Sequence, residues 1–185
     1  MPMTDTPCRC GRIRTFAAVA IALVLASLLA VGCVLTMPEA FLKQRQLENG
    51  AVPPLKGEWQ DEEGAILTVS PVRRTTNTFT AVSGGKDGAL EVILERLDPN
   101  RFIMQVTPKD GRGVFLTIAE VTENRVVVYT YPDSLDAIRK AADENGVTVT
   151  DNGLIVKYVS ARGIIAFFRV LADMPDHKDF VFTRR

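Results

Sequence analysis

Cysteine is nearly missing from this chain of 185 residues, and the three present, Cys8, Cys10 and Cys33, all fall near its start. The remainder cannot build a disulfide framework and must rest on an apolar core. Histidine occurs once, as His177, between Asp176 and Asp179. A Ser-His-Asp triad would have to be built on it, yet sequence neighbours seldom converge into a triad, and no G-x-S-x-G motif occurs. His177 is therefore expected to be a solvated loop residue. With so few nitrogen and sulfur ligands, a transition-metal site is not expected. The pair Cys8-Arg9-Cys10 is spaced too tightly for a zinc knuckle.

Charge of one sign is also lacking. Lys and Arg number 22 and Asp and Glu number 22, a formal net of zero. No long basic run exists, so nucleic acid is not an expected partner. The acidic pairs sit at Asp61-Glu62-Glu63 and Asp143-Glu144. A glycosidase needs two carboxyls facing each other across a cleft, whereas adjacent acids in a turn or at a helix end read as solvated charge. Asp151-Asn152-Gly153 lacks the later ligands of a calcium loop, and the glycine-rich run Ser83 to Gly88 lies between strands rather than before a helix. No catalytic residue, no cofactor site and no metal site is expected. The chain reads as no enzyme, with a hydrolase of wall or lipid as the last-ranked reading.

The chain does hold a long uncharged stretch, Phe16 to Cys33, reading FAAVAIALVLASLLAVGC and preceded by Arg9, Arg12 and Arg14. A basic start, an apolar centre and a small-residue end are the parts of a secretory signal. The arginines keep the amino end cytoplasmic and send the rest of the chain outward. Ala30-Val31-Gly32-Cys33 resembles the lipobox of bacterial lipoproteins, with Ala30 where leucine is usual. The resemblance covers the first 33 residues. It implies cleavage between Gly32 and Cys33, a diacylglycerol on the Cys33 thiol and acylation of the new amino group, palmitate being a typical chain. The partner so implied is membrane lipid. Val34 stands where enteric lipoproteins retained at the inner membrane carry aspartate, which favours the outer membrane. An uncleaved spanning helix over Phe16 to Met37 is the alternative, since a span needs ~20 apolar residues.

The expected division is a signal peptide over 1–32, a lipidated tether over 33–55 and one domain over 56–185 facing the periplasm. Removing the leader leaves 153 residues with a net charge near −2, enough for a single core. Within the tether a short helix over Glu39 to Glu48 is expected after Pro38.

The domain reads as α+β. Strands are expected over Ala65 to Val69, Thr75 to Val82, Leu90 to Leu94, Arg101 to Val106, Val114 to Ala119 and Arg125 to Tyr131, joined by short turns. Two helices come next, one opened by Asp133 or Ser134 and closed by Asn145-Gly146, the other capped by Ser160 and running to Asp173. Short strands at Val147 to Thr150 and Leu154 to Val159 separate them, and Phe180 to Thr183 adds a last strand. The expected architecture is a strongly bent antiparallel meander of about seven to nine strands, a partial barrel at most. The two helices would cover its open face or end.

Gly57-Glu58-Trp59, the site of the only Trp, resembles the G-x-W opening the first strand of lipocalins. This resemblance implies a structural role for Trp59 at the base of a curved sheet and a carrier for a small apolar ligand. Lipocalin barrels have eight strands and then a helix, whereas here two helices interrupt the late β region. The candidate cavity or core lining is Trp59, Leu90, Val92, Leu94, Phe102, Met104, Leu116 and Ile118. The leading functional reading is a membrane-anchored envelope lipoprotein with a non-catalytic binding or structural domain. Its partner would be an envelope protein or a small apolar molecule.

Overall fold

Alternating apolar and polar residues make strands here because successive side chains of a strand point to opposite faces. The computed structural model describes residues 35–37, 40–43, 55–83, 89–108, 113–130, 135–150, 155–158, 160–174 and 178–185. Its elements are β1 (Leu35–Met37), β2 (Gly57–Asp61), β3 (Ile66–Pro71), β4 (Thr78–Ser83), β5 (Ala89–Arg96), β6 (Arg101–Pro108) and β7 (Val114–Val121). Then come β8 (Arg125–Thr130), α1 (Leu135–Glu144), β9 (Val147–Val149), β10 (Ile155–Tyr158), α2 (Ala161–Ala172) and β11 (Lys178–Arg184).

From β2 to β8 each strand pairs antiparallel with the next. β11 pairs with β8 on one side and with β2 on the other. The meander therefore closes into an eight-stranded up-and-down barrel. Closure corrects the expectation of a partial barrel. It depends on β11, which satisfies two edges that would otherwise expose unpaired backbone groups. The segment α1-β9-β10-α2 is inserted between the seventh and eighth barrel strands, and β9 and β10 form their own two-stranded sheet.

Two apolar clusters result. One draws buried residues from β2 to β8, including Trp59, Val69, Phe79, Leu94, Phe102, Ala119, Val121 and Val128, with Phe180 and Phe182 of β11 against it. This is the barrel interior. The other joins the outer faces of β5, β6 and β7 (Ile93, Ile103, Leu116, Ile118) to Ile138 of α1, Ile155 of β10 and Ile164, Phe167, Phe168 and Leu171 of α2. The helices thus cover the barrel's flank rather than an open end. Strands β5 to β7 carry apolar residues on both faces because both faces are covered.

Both helices end as their sequences imply. Ser160 accepts a hydrogen bond from the Gly163 backbone N–H, 3.0 Å away, and so caps α2. Backbone N–H groups of Asn145 and Gly146 bond back to Ala142 and Asp143 at the end of α1. Gly163 packs against that same turn. A Cβ added there would stand 2.5 Å from the Asn145 carbonyl oxygen. At its other end α2 is fastened to the β5–β6 turn, where Arg101 donates to the Ala172 carbonyl, to Asp173 and to Asp98. The hydrogen bond to Asp173 is the main cause that holds the Arg101 guanidinium above its ordinary range.

The described residues of the expected tether, 35–37, 40–43 and 55, pack with the domain. β1 pairs with the first half of β7, Leu35 opposite Leu116 and Met37 opposite Val114. Leu35, Met37 and Leu42 are buried in the outer core, and Leu55 in the inner one. Full burial of each such side chain contributes ~1.5–3 kcal/mol. The helix expected over 39–48 is not formed in its described part, residues 40–43. There the backbone N–H groups of Phe41 and Leu42 both donate to the Gln105 side-chain oxygen, at 2.8 Å each. Asn77 donates to the Lys43 carbonyl from the neighbouring wall. Bonds to buried side chains replace the intrahelical ones. Likewise, a spanning helix through Met37 loses its last three residues to β1. Among the described residues no helix is long and apolar enough to cross a membrane.

Candidate functional site

The barrel interior differs between its two ends. One end carries the β3–β4, β5–β6 and β7–β8 turns and the start of β2. The other carries the β2–β3, β4–β5 and β6–β7 connections and the departure to α1. Burial changes along individual strands. On β3, Val69 is buried and Leu67, nearer the second end, only partly so. On β5, Leu94 and Val92 are buried and Leu90 is half-buried. On β6, Phe102 is buried, whereas Met104 and Val106 are accessible in part. On β7 the same step separates Val121, Ala119 and Thr117 from Phe115. The inward side chains of β3, β5, β6 and β7 are thus buried toward the first end and partly exposed toward the second, except that Pro108 at the end of β6 is buried again.

The seal is built on Gly57-Glu58-Trp59. The indole N–H of Trp59 donates to the Leu55 carbonyl at 2.7 Å. Arg184 of β11 lies over the indole, its Cζ 4.6 Å from the ring centroid. Its Nε donates to the Glu123 carbonyl at 2.7 Å and its Nη1 to the Lys56 carbonyl at 2.9 Å. One guanidinium thus ties the start of β2, the β7–β8 turn and β11 over the Trp face. Gly57 has a φ of +142°, strained for any residue with a Cβ; such a Cβ would also stand 3.1 Å from Arg184 Nη1 and displace the guanidinium slightly. Beside this seal Arg96 lies over Phe102 at 5.2 Å and donates to the Pro99 carbonyl.

All eight residues expected to line a cavity or core lie in an apolar core. Six share the interior: Trp59, Leu90, Val92, Leu94, Phe102 and Met104. Leu116 and Ile118 lie in the outer core, against β1 and the helices. Register places Leu94 opposite Met104 and Met104 opposite Thr117, so the inner set on β7 is Phe115, Thr117, Ala119 and Val121. Phe180, Phe182 and Arg184 belong to the interior and its seal but are absent from the expected set. Their spacing of two along the last strand was the available signal.

Register places Asp61 opposite Phe182, so one carboxylate shares the inward side at the second end. Thr117 donates its hydroxyl to the Tyr129 carbonyl within the wall. The charges of Arg96 and Arg184 are held over rings at the first end. Asp61 accepts backbone N–H groups of Glu63 and Ala65 and so shapes its own turn. Asp143 and Glu144 are exposed at the end of α1. Among the described residues no three His, Cys, Asp or Glu side chains are grouped to hold a metal ion. Gly32, Cys33, His177 and residues 151–153 lie outside the described residues.

No protein-family model, curated protein or solved structure matches the chain.

Proposed function

We propose that the chain is an envelope protein held to its membrane through an acylated Cys33, and that its barrel binds one elongated apolar molecule of the fatty-acyl class. The observation that carries the binding reading is a set of partly exposed apolar side chains on the inward faces toward one end, Leu67, Leu90, Met104 and Val106, above the Trp59–Arg184 pair. Burying ten methylenes there gains ~8 kcal/mol. Association opposes this with a cost of at least ~4 kcal/mol. The balance corresponds to weak, exchangeable binding, which suits a carrier or sensor. The reading assigns no catalytic step. It is supported by Asp61 being engaged in its own turn and by the exposure of Asp143 and Glu144. Acylation at Cys33 is supported by the sequence around it, and the outer membrane by Val34.

The test is native mass spectrometry of protein extracted from membranes, compared with its denatured mass. Acyl groups on Cys33 survive denaturation and disappear in Cys33→Ser. A barrel ligand is lost on denaturation, one per chain. Protein that carries covalent acyl groups but never a releasable apolar molecule, even after incubation with palmitate, would refute the binding reading and leave the anchor standing.

A further inference from the structure

We infer that the flank of the barrel formed by β1, residues 40–43 and β10 rests against the surface of the membrane that holds the chain. The inference rests on the proposed anchor at Cys33, and it holds equally for a span ending before β1. The first described residue, Leu35, is wholly buried in the outer core and paired with Leu116. It stands two positions after Cys33. A chain covers at most ~3.6 Å per residue, so the Leu35 Cα lies within about 7 Å of the Cys33 Cα. The headgroup layer on one side of a bilayer is itself roughly 5–8 Å deep. The anchor therefore leaves no slack. Slack could come only from unpairing β1, which would take Leu35 and Met37 out of the core and then pull on the Gln105 bonds to Phe41 and Leu42.

The surface beside β1 suits a headgroup layer. Tyr158 of β10 is 38% exposed and meets the Phe41 ring edge-on at 5.4 Å. Ala40 and Lys43 are exposed alongside. Tyrosine favours the membrane–water boundary, where its ring and hydroxyl meet different media, and lysine is drawn to anionic headgroups. The diametrically placed strand, β3, presents Thr68 and Ser70 to solvent beside Ile66, and no aromatic ring.

The experiment uses the full chain with its leader, in a Cys8→Ser, Cys10→Ser background. Protein whose denatured mass shows Cys33 blocked by acylation carries a nitrobenzoxadiazole label on one added cysteine, Tyr158→Cys, Ala40→Cys or, on β3, Ser70→Cys. The protein is reconstituted into phosphatidylethanolamine–phosphatidylglycerol vesicles containing headgroup-nitroxide lipid. Quenching at 158 and at 40 is expected to exceed that at 70 at least threefold. A ten-residue Gly/Ser insertion after Val34 is expected to bring both down to the level at 70. Protein that floats with the vesicles yet quenches equally at all three sites overturns the inference alone. Protein that does not float overturns the anchor and this inference together.

Discussion

Arg184 stacks on Trp59 across the closing seam of the barrel, 4.6 Å from guanidinium carbon to ring centroid. The pair joins the sealed floor directly to the strand that completes the wall. Arg184→Ala removes that cation–π contact and two bonds to backbone carbonyls. Part of the guanidinium is solvated, which discounts the loss to about 2 kcal/mol. Urea unfolding followed by the emission of Trp59 measures it. Arg184→Lys is expected to recover little, because an ammonium cannot reproduce the planar fork.

Gln105 offers the opposite case, a neutral side chain with a larger expected effect than an ion pair. It is fully buried and accepts from two backbone N–H groups. Gln105→Ala leaves both donors without their partner in the core, at a cost of about 2–4 kcal/mol. Limited proteolysis is expected to cut near Lys43 in the variant before it cuts the barrel.

By contrast, Asp173→Ala is expected to cost under ~1 kcal/mol, since its ion pair with Arg101 is 64% exposed on the Asp side. Arg101 has its folded-state pKa raised. The stability linked to it is present below the unfolded arginine value and is lost only as pH rises through the still higher folded one. The pH profile of thermal unfolding from acid to neutral is therefore expected to show no Arg101 transition.

Gly163→Ala sets helix propensity against contact. Alanine favours a helix interior by ~1 kcal/mol. Here its Cβ would meet a backbone oxygen at 2.5 Å, with the Ser160 hydroxyl oxygen at 3.3 Å. Backbone cannot yield as a side chain can. The variant is expected to be less stable by about 1–3 kcal/mol, read as a lower urea midpoint. A higher midpoint would mean that α1 and α2 slide apart easily.

Filling the interior separates binding from folding. Leu90→Trp places a large ring where the wall is only half-buried. It is expected to weaken palmitate binding at least tenfold while moving stability by less than ~1.5 kcal/mol. Val121→Trp, at a fully buried inner position of the sealed end, is expected to disrupt folding instead. Isothermal titration and circular dichroism distinguish the two outcomes.

Much of the fold was legible because period-two alternation is a local signal. Leu90, Val92 and Leu94, and then Phe102 and Met104, declare their strands within a few residues. Ser160 declares its helix in the same way. Three things were not local. Closure requires β11 to meet β2, and Arg184 bonds to Lys56 across 128 positions. The face of Leu116 and Ile118 was ambiguous because the outer side of β7 is as apolar as the inner. β1 was hidden by composition, since Leu35-Thr36-Met37 continues the apolar run before it. Only pairing with β7 distinguishes it from the leader. The inward residues were legible as apolar faces, but not as the inside of a closed wall.

The seam has a kinetic consequence. A polypeptide emerging amino end first has β2 through β8 available long before β11 arrives, because the whole helical insertion separates β8 from β11. Until then the sheet has two long unpaired margins, on β2 and β8, each able to recruit a strand from a neighbouring molecule. Pairings so distant along the chain also form slowly. The nascent protein is thus exposed to aggregation for a definite interval, from the completion of β8 to the docking of β11. A holdase acting in that interval is expected to raise the yield of folded protein.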